Sequence, residues 1–207
     1  MSFTLWFTGL SGAGKSTLSW NVYLEIRRRG LKAELLDGDL IRSNFSQELT
    51  FSRRDRDINV RRIGFVSHLL NKNDVVSVVA AIAPYANTRE QNRQLLDNYL
   101  EVFVNCPLEV VEKRDVKGLY RRARKGEIEN FTGISDPYEA PQNAEVVVFT
   151  STESVPESVA KVVDLLEERG FIPRPDGCEI VNFSEEDEKS WRERLVDLGY
   201  CKTGKST

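Results

Sequence analysis

Residues 3–16 read Phe-Thr-Leu-Trp-Phe-Thr-Gly-Leu-Ser-Gly-Ala-Gly-Lys-Ser, and this stretch decides the fold. Its first six residues form an apolar run that is typical of a buried strand, and the segment that follows has helical character. Between them, Gly9, Gly14, Lys15 and Ser16 complete the pattern G-x-x-x-x-G-K-[ST]. A glycine-rich loop between a strand and a helix predicts a phosphate-binding site, because its backbone N–H groups and the helix N-terminus attract anions.

The loop also predicts which side chains meet the phosphates. Lys15 can reach the outer phosphates, and the hydroxyl of Ser16 can ligate Mg²⁺. A glycine-rich turn with a chance lysine is the alternative, and the flanking strand and helix argue against it. The predicted phosphate-binding residues are Gly9, Leu10, Ser11, Gly12, Ala13, Gly14, Lys15, Ser16 and Thr17.

The composition indicates an ordinary globular protein, and the length is sufficient for one α/β domain. The chain has 207 residues, of which 40% are hydrophobic and 29% are charged. Its 29 basic and 32 acidic residues give a net charge of −3, so we expect no nucleic acid and no membrane as a partner. We find no apolar run of membrane-spanning length and no signal-type N-terminus, and we therefore expect a cytoplasmic protein.

Cysteine and histidine suggest no metal site. Cys106, Cys178 and Cys201 are far apart and lack C-x-x-C spacing, which predicts reduced thiols rather than a disulfide or a zinc site. His68 is the only histidine, so it has no second histidine with which to share a metal. We expect it to be a packed or surface residue.

Predicted strands and helices alternate along the chain. This alternation indicates an α/β fold with a mostly parallel sheet, helices on both faces and ligands beyond the carboxyl ends of the strands. The predicted strands cover residues 3–8, 31–36, 75–80, 101–105 and 146–149. The predicted helices cover residues 17–29, 52–71, 87–99, 108–113 and 155–169.

Two acidic residues, Asp37 and Asp39, follow the second predicted strand. Gly38 between them would allow a tight turn that presents both carboxylates to one pocket. Phosphoryl transfer needs a carboxylate beside Mg²⁺ and a base for the attacking hydroxyl. We expect Asp37 to lie at the metal and Asp39 to be the base, and a surface turn is the alternative.

An anion-binding face is predicted on the helix at 52–71. Arg56, Asn59 and Arg62 recur at helical spacing and can share one face, and Arg42 must lie near the acidic turn. Guanidinium groups match the oxygens of phosphate or sulfate, so this face can bind an anionic acceptor. The arginines of this helix that we expect to be solvated are Arg53, Arg54 and Arg61.

A basic segment at 114–125 precedes a glycine-containing loop at 126–133. A basic helix followed by such a loop suits a lid that excludes water from the phosphates. Nucleic-acid binding is the rival interpretation, and the acidic total charge and the lack of interleaved aromatic residues disfavour it. Residues 71–74, Asn-Lys-Asn-Asp, mimic the guanine-reading N-K-x-D pattern, but they end a predicted helix and precede a strand, so we expect a turn.

Five longer motifs follow one another: Gly-Leu-Ser-Gly-Ala-Gly-Lys-Ser-Thr at 9–17, Leu-Asp-Gly-Asp-x-x-Arg at 36–42, Phe-Ser-x-x-Asp-Arg-x-x-Asn-Val-Arg-Arg-Ile-Gly at 51–64, Lys-Arg-Asp-x-Lys-Gly-Leu-Tyr at 113–120 and Phe-Thr-Gly-Ile-Ser-Asp-Pro-Tyr-Glu at 131–139. In order and spacing they resemble the adenylylsulfate kinase family. The resemblance implies a three-layer P-loop kinase fold with a basic lid. It also implies transfer of the γ-phosphoryl group of MgATP to the 3′-hydroxyl of adenosine 5′-phosphosulfate (APS), which gives 3′-phosphoadenosine 5′-phosphosulfate (PAPS) and ADP. The implied cofactors are ATP and Mg²⁺, and the implied assembly is a homodimer.

The resemblance gives further roles to single residues. Phe51 and Phe131 would stack on the adenine of APS, and Lys117 would help to bind APS. Arg114 would lie near the base of ATP, and residues 117–138 would form the lid. The residues that would hold the phosphosulfate and ribose of APS are Arg42, Arg56 and Asn59.

Three residues depart from the family pattern. Ala83 stands where the family often has a serine before Pro-Tyr, so no hydroxyl there can carry a phosphoryl group, and we expect direct transfer. Ala86 replaces a common arginine, which removes one anion contact. Thr50 replaces a glycine, which can alter the shape of the acceptor-side turn.

The resemblance ends near Pro173, which predicts a kinase domain at 1–173 and a C-terminal extension at 174–207. Within the extension, Ser184 can cap a short amphipathic helix that docks on the body or on a second subunit. The apolar stripe of this predicted helix consists of Trp191, Leu195 and Leu198.

Two other functions stay open at this point. The nearest is another small-molecule P-loop kinase that acts on a nucleoside monophosphate or a sugar acid. The second is a nucleotide-dependent regulatory module without turnover, against which the intact Lys15, Ser16, Asp37 and Asp39 argue.

Overall fold

The computed structural model describes residues 2–175 of the chain. Within this range, five strands form one sheet: β1 (Thr4–Thr8), β2 (Ala33–Asp37), β3 (Val76–Ala80), β4 (Tyr99–Asn105) and β5 (Val146–Phe149). Their spatial order is β2-β3-β1-β4-β5, and every neighbouring pair is parallel. The predicted parallel sheet is confirmed.

Seven helices lie in the same range: α1 (Lys15–Arg28), α2 (Gly38–Phe45), α3 (Arg53–Asn71), α4 (Ala86–Leu95), α5 (Leu108–Arg114), α6 (Leu119–Arg124) and α7 (Val155–Glu168). Helices α1 and α7 pack together on one face of the sheet, and α3 packs with α4 on the other. This arrangement confirms the predicted α/β architecture with helices on both faces.

Strand β1 runs through the middle of the core and is buried along its whole length. Because successive side chains of a strand point to opposite faces, Leu5 and Phe7 lie in the core beneath α1 and α7, whereas Trp6 lies in the core beneath α3. Burial on both faces explains the continuous apolar run in the sequence. This burial also holds in place the end of β1 from which the following loop begins.

The Asp-Gly-Asp segment differs from its prediction. It does not form an isolated turn but begins α2, whose N-cap is Asp37. The carboxylate of Asp37 accepts hydrogen bonds from the backbone N–H groups of Asp39 at 2.9 Å and Leu40 at 3.3 Å. An aspartate in this position stabilises the start of a helix, so a short helix replaces the tight turn.

The predicted helix at 87–99 is too long at its C-terminal end. Helix α4 ends at Leu95, and Tyr99 already begins β4 opposite Thr4 of β1. Both Leu96 and Tyr99 are buried in the core beneath α3. Tertiary packing therefore ends the helix before its local pattern does.

Residues 71–74 form the predicted turn. Helix α3 ends at Asn71, and Asp74 has a φ of 57° just before the chain enters β3. The amide of Asn71 donates to the carbonyl oxygens of Phe3 at 3.0 Å and Val75 at 3.1 Å. A structural role at the amino ends of β1 and β3 accounts for this segment.

His68 takes a packed position, and Cys106 is unpaired within the described residues, in agreement with the prediction of a reduced thiol. His68 is half-buried on α3 and stacks on Phe65, with ring centroids 6.3 Å apart, and Cys106 is a buried free thiol. Cys178, Cys201 and the predicted amphipathic helix lie outside the described residues. From residue 2 to residue 175, we find no helix that is both long and apolar enough to cross a membrane.

The chain is anchored as far as Pro173. Phe171 packs against Phe3 with ring centroids 5.0 Å apart, and Ile172 is buried in the same core. At the C-terminal end of α1, Arg29 donates to the carbonyl oxygen of Pro173 at 2.7 Å. These contacts fix the segment after α7 to the end of α1.

Gly64 lies on α3 where this helix packs against α4. A Cβ atom at Gly64 would lie 2.2 Å from Oδ1 of Asn92, and Asn92 is buried and donates to the carbonyl oxygen of Val60 at 3.2 Å. We expect Gly64→Ala to lower the free energy of unfolding by about 1–3 kcal/mol, as overpacking does. Chemical denaturation would measure the change.

The control for this prediction is Gly64→Ala in an Asn92→Ala background. Because the colliding amide is then gone, the higher helix propensity of alanine should make the substitution neutral or stabilising by up to about 1 kcal/mol. An equal loss of stability in both backgrounds would contradict the close-contact explanation.

Candidate active site

The loop after β1 approaches the neighbouring strand so closely that it admits no side chain at its start. Gly9 has a φ of 150°, and a Cβ atom there would lie 2.4 Å from the carbonyl oxygen of Val104 on β4. Only glycine tolerates such an approach. Gly14 then caps α1 in a left-handed conformation. The loop therefore wraps around the N-terminus of α1, as the phosphate-binding motif predicts.

Lys15 is buried at the centre of this loop. Its Nζ donates to the carbonyl oxygen of Leu10 at 2.8 Å. Burial lowers the pKa of Lys15 to about 8, and the charges of Asp39 and Asp37 oppose this shift only in part. The negative charge of a bound phosphate chain would stabilise the charged form of this desolvated ammonium group.

Ser16 and Asp37 meet where α1 and α2 begin. The hydroxyl of Ser16 donates to Oδ2 of Asp37 at 3.0 Å. Mg²⁺ takes oxygen ligands, commonly one or two from the protein and the others from phosphates and water. The hydroxyl of Ser16 and the carboxylate of Asp37 are therefore suitable oxygen ligands for Mg²⁺ that is bound to a triphosphate. Among residues 2–175 there is no cluster of three or more acidic, histidine or cysteine side chains that could hold a metal ion alone.

Asp39 meets a lysine from a distant segment. Its side chain is 63% exposed in the first turn of α2, and its Oδ2 lies 2.6 Å from Nζ of Lys117. The two charges act in opposite directions on Lys15, since Asp39 raises its pKa and Lys117 lowers it. Three charged groups from three segments of the chain therefore share one site.

A second group of side chains, which we call the second wall of the site, consists of the ring of Phe51, the guanidinium groups of Arg42 and Arg56, and the amide of Asn59. Phe51 is 50% exposed, and the guanidinium carbons of Arg42 and Arg56 lie 4.8 and 5.3 Å from its centroid. The Oδ1 atom of Asn59 is buried and has no hydrogen-bond partner within the described part of the chain. This wall offers a ligand an aromatic surface, positive charge and a hydrogen-bond acceptor.

The loop and the second wall line one cavity of about 210 Å³. The predicted site residues in its lining are Ser11, Gly12, Gly14, Lys15, Ser16, Thr17, Asp39, Arg42, Phe51, Arg56, Asn59 and Lys117. The predicted site residues outside its lining are Gly9, Leu10, Ala13, Asp37, Arg114 and Phe131. The structure therefore brings together groups that are far apart in the sequence.

Phe131 and Arg114 take positions beside the cavity. Phe131 is 8% exposed and packs edge-on against Tyr120, with ring centroids 5.0 Å apart. Arg114 donates to the carbonyl oxygen of Thr150, whose hydroxyl donates to the carbonyl oxygen of Ala13 at 2.7 Å. Arg114 is thus tied to the phosphate loop, whereas Phe131 belongs to the core in this structure.

The arginines of α3 fall into buried and exposed residues, and all but Arg62 lie where the sequence predicts. Arg56 is buried towards the cavity, but Arg62 does not share its role. Arg62 donates to the carbonyl oxygen of Phe45 at 3.0 Å and pairs with Glu48 at 2.6 Å, because the segment after α2 passes over it. The arginines that are exposed, as predicted, are Arg53, Arg54 and Arg61.

The basic segment at 114–125 is not one helix, which corrects the prediction. Asp115 and Gly118 separate α5 from α6, because their φ angles are 25° and 66°. Two arginines of α6 form ion pairs with nearby glutamates. Lys117, which lies in the break, is the basic residue of this segment that lines the cavity.

Tyr120 and Asp115 also line the cavity, and sequence reasoning missed both. The hydroxyl of Tyr120 donates to the carbonyl oxygen of Ser11 at 2.8 Å. Asp115 caps α6 by accepting from the backbone N–H groups of Tyr120 and Arg121. An aspartate ahead of a helix can be recognised as a cap from the sequence. The contact between Tyr120 and Ser11 cannot be predicted from a local pattern, because the two residues are 109 positions apart.

A phosphate loop after the first strand of a parallel sheet, a serine–aspartate pair beside it and a cationic second wall define a P-loop kinase, an enzyme that transfers phosphoryl groups. The family model described as adenylylsulphate kinase matches residues 1–149. The chain belongs to this family.

Individual relatives of this chain belong to the same family. The adenylyl-sulfate kinase of Picosynechococcus sp. is 56% identical over 169 residues, which are 82% of this chain and 96% of the relative. The structure of the APS kinase of Mycobacterium tuberculosis in complex with AMPPNP and APS is 40% identical, with a TM-score of 0.77 over 80% of this chain and 98% of that one. The hexameric APS kinase from Thiobacillus denitrificans is 33% identical, with a TM-score of 0.63 over 83% of this chain and 30% of that one.

We expect nucleotide binding to take up a proton above about pH 8, because burial holds the pKa of free Lys15 near that value and bound phosphates raise it. The affinity for ATP should therefore fall as the pH rises through that value, by at most about tenfold per pH unit. Calorimetric titration with ATP at about pH 8.5, in buffers of different ionisation enthalpy, would count the protons.

The control for proton uptake is Lys15→Arg, because a guanidinium group stays charged throughout this range. This variant should bind ATP without taking up a proton at that pH. Equal proton uptake by the two proteins would assign the titration to another group.

Proposed function

We propose that this enzyme transfers the γ-phosphoryl group of MgATP to the 3′-hydroxyl of APS, giving PAPS and ADP. The observation that carries the proposal is the single cavity that the phosphate loop shares with Arg42, Phe51 and Arg56. The loop suits a triphosphate, and the opposite wall suits a purine that carries its own anionic group. Membership of the adenylylsulphate kinase family and the Mycobacterium tuberculosis relative bound to AMPPNP and APS support this acceptor.

The donor nucleotide binds at the phosphate loop. Its phosphates replace the carbonyl oxygen of Leu10 as the partner of Lys15, whose charge then stabilises the negative charge that develops during transfer. Ser16 and Asp37 are the residues that would hold Mg²⁺, which neutralises phosphate charge when bound. Arg114, tied to the loop through a threonine, would lie near the base of ATP.

The acceptor binds against the second wall. Its adenine stacks on the half-exposed ring of Phe51, and Arg42 and Arg56 bind the phosphosulfate through their forked donors. The buried Oδ1 of Asn59 accepts a hydrogen bond from the ribose region. Lys117, which reaches the cavity from the break between α5 and α6, adds a further positive charge.

Phe131 is proposed as the second stacking residue of the acceptor site. Its present position against Tyr120 means that its ring must turn out of the core before it reaches the adenine. A turn of the side chain needs no movement of the backbone at 130–136, and it is consistent with residues 117–138 acting as a lid that covers the substrates and excludes water.

Asp39 is the general base. It takes the proton from the 3′-hydroxyl while that oxygen bonds to the γ-phosphorus and the bond to the β–γ bridging oxygen breaks, which releases ADP. The ion pair with Lys117 holds the carboxylate at the cavity. Ala83 also lines the cavity and has no hydroxyl, so the phosphoryl group passes directly from donor to acceptor.

We further propose a cytoplasmic homodimer whose catalytic unit is residues 1–173, with 174–207 as an appendage. The family resemblance supports the dimer, although the relative from Thiobacillus denitrificans is hexameric. Light scattering on the purified protein would give the number of subunits, and a dimer is the expected result.

The decisive experiment for the function is mass detection of PAPS after the enzyme is mixed with MgATP and APS. Equimolar ADP and PAPS would support the proposal. Faster turnover with shikimate, gluconate or AMP would instead identify another small-molecule kinase. An absence of turnover with every acceptor would indicate a regulatory module that binds nucleotide.

Asp39→Asn keeps the size of the side chain but cannot accept the proton. We expect kcat to fall at least about a hundredfold, as the loss of a general base does, while the affinity for ATP stays within about twofold. Steady-state kinetics would measure both. Asp97→Asn makes the same change at an exposed position of the α4–β4 loop and should be silent; a near-normal rate for Asp39→Asn would move the role to another group.

Phe51→Ala removes the half-exposed ring of the acceptor wall. We expect the KM for APS to rise about tenfold or more, because stacking of a base on an aromatic ring contributes about 1–3 kcal/mol. The KM for ATP should change little. Phe65→Ala, which removes an equally exposed ring from α3 outside the cavity, is the matched control, and equal effects of the two variants on the KM for APS would contradict the stacking role.

A further inference from the structure

Arg56 enters the cavity as a buried side chain with two of its donors fixed. Its Nε donates to the carbonyl oxygen of Phe51 at 3.0 Å, and its Nη2 donates to the carbonyl oxygen of Asn130 at 2.7 Å. A guanidinium group carries five N–H donors in one plane, so two such bonds determine the direction of the others. The orientation of Arg56 therefore depends on where the segment at 130–136 lies.

Asp136 holds this segment in place. Its backbone closes a tight turn, with its carbonyl oxygen accepting from the N–H of Gly133 at 2.7 Å and its N–H donating to the carbonyl oxygen of Phe131 at 3.1 Å. Its carboxylate accepts a hydrogen bond from the hydroxyl of Tyr85 and lies 3.9 Å from Nε of Arg56. One side chain, 15% exposed, thus joins three separate parts of the site.

Tyr85 provides the fixed end of this connection. It is buried in the loop between β3 and α4. Burial raises the pKa of Tyr85, and the nearby carboxylate of Asp136 adds to the shift, so the hydroxyl keeps its proton and remains a donor. Its ring also lies beneath the guanidinium group of Arg53, 4.3 Å from the centroid.

The charge of Asp136 alone would not help an anion to bind. A carboxylate beside Arg56 offsets part of the attraction that the guanidinium group exerts on an anionic ligand. Any benefit to acceptor binding must therefore come from the hydrogen bond that fixes the segment, and removing the charge while keeping that bond separates the two effects.

We propose that Asp136 and Tyr85 are positioning residues for the acceptor: their hydrogen bond fixes the segment at 130–136, and the carbonyl oxygen of Asn130 in this segment in turn sets the plane of the Arg56 guanidinium group. The proposal rests on the proposed function, because it identifies the ligand of Arg56 as APS. Both residues act through Arg56 rather than on the reacting atoms, so their loss should change the affinity for APS and leave the chemical step intact.

Tyr85→Phe removes only the hydroxyl of this pair. We expect the KM for APS to rise about tenfold, equivalent to about 1.4 kcal/mol, while kcat and the KM for ATP stay within about twofold. Tyr99→Phe is the matched control, because Tyr99 is also buried and donates to a carboxylate, Oε1 of Glu101 at 3.0 Å, outside the cavity lining. The control should leave the KM for APS unchanged.

Two substitutions of Asp136 separate the hydrogen bond from the charge. Asp136→Ala loses both and should raise the KM for APS at least as much as Tyr85→Phe. Asp136→Asn keeps an oxygen that accepts from Tyr85 and should bind APS as tightly as the unaltered enzyme, or more tightly. A loss of affinity in Asp136→Asn as large as in Asp136→Ala would overturn the proposal.

The unaltered enzyme in the same assay distinguishes the two hypotheses. If it does not phosphorylate APS, the proposed function fails. If it does, and Tyr85→Phe has the same KM for APS as Tyr99→Phe, the positioning role alone is wrong. Thermal unfolding of each variant, with ATP binding as a check of the intact donor site, shows that the compared proteins are folded.

Discussion

The parallel alignment of β1, β2 and β3 is the constraint on which the whole site depends. Parallel strands end at the same edge of a sheet, so the phosphate loop, the cap at Asp37 and the segment after β3 all leave the sheet on one side. The strand register also brings the three strand ends to the same level, since Phe7 of β1 and Asp37 of β2 both lie beside Ala80 of β3. A strand that ran the opposite way would separate the donor side from the acceptor side.

Behind the cavity, a buried arginine supports this edge. Arg89 of α4 donates to the carbonyl oxygen of Ala83 at 2.7 Å and to that of Glu139 at 2.6 Å, and its Nε lies 3.2 Å from Glu101. Ala83 has a φ of 44°, which an alanine rarely adopts. The contacts of Arg89 stabilise this conformation and connect the loop at Ala83 to Glu139, three residues after Asp136. One buried side chain therefore supports both of these loops.

Local pattern predicted the phosphate loop from a motif and the parallel sheet from the alternation of strands and helices, and the helical spacing of polar residues correctly placed Arg56 and Asn59, but not Arg62, at the cavity. The failures have a different origin. Helix α2 was missed because its cap is also a candidate ligand, and the basic segment was predicted as one helix because Asp115 adopts a positive φ that its sequence does not require. The buried position of Phe131 depends on contacts with Tyr120 that only the folded chain defines.

The buried oxygen of Asn59 has a consequence for inhibitor design. A compound that directs an N–H donor at this atom, with a flat ring against Phe51, would occupy the acceptor half of the cavity and leave the phosphate loop untouched. The loop is built from a motif that many nucleotide-binding proteins share, whereas the wall combines a ring, two guanidinium groups and a buried amide oxygen. Competition at the wall would therefore discriminate between kinases that compounds directed at the ATP phosphates treat alike.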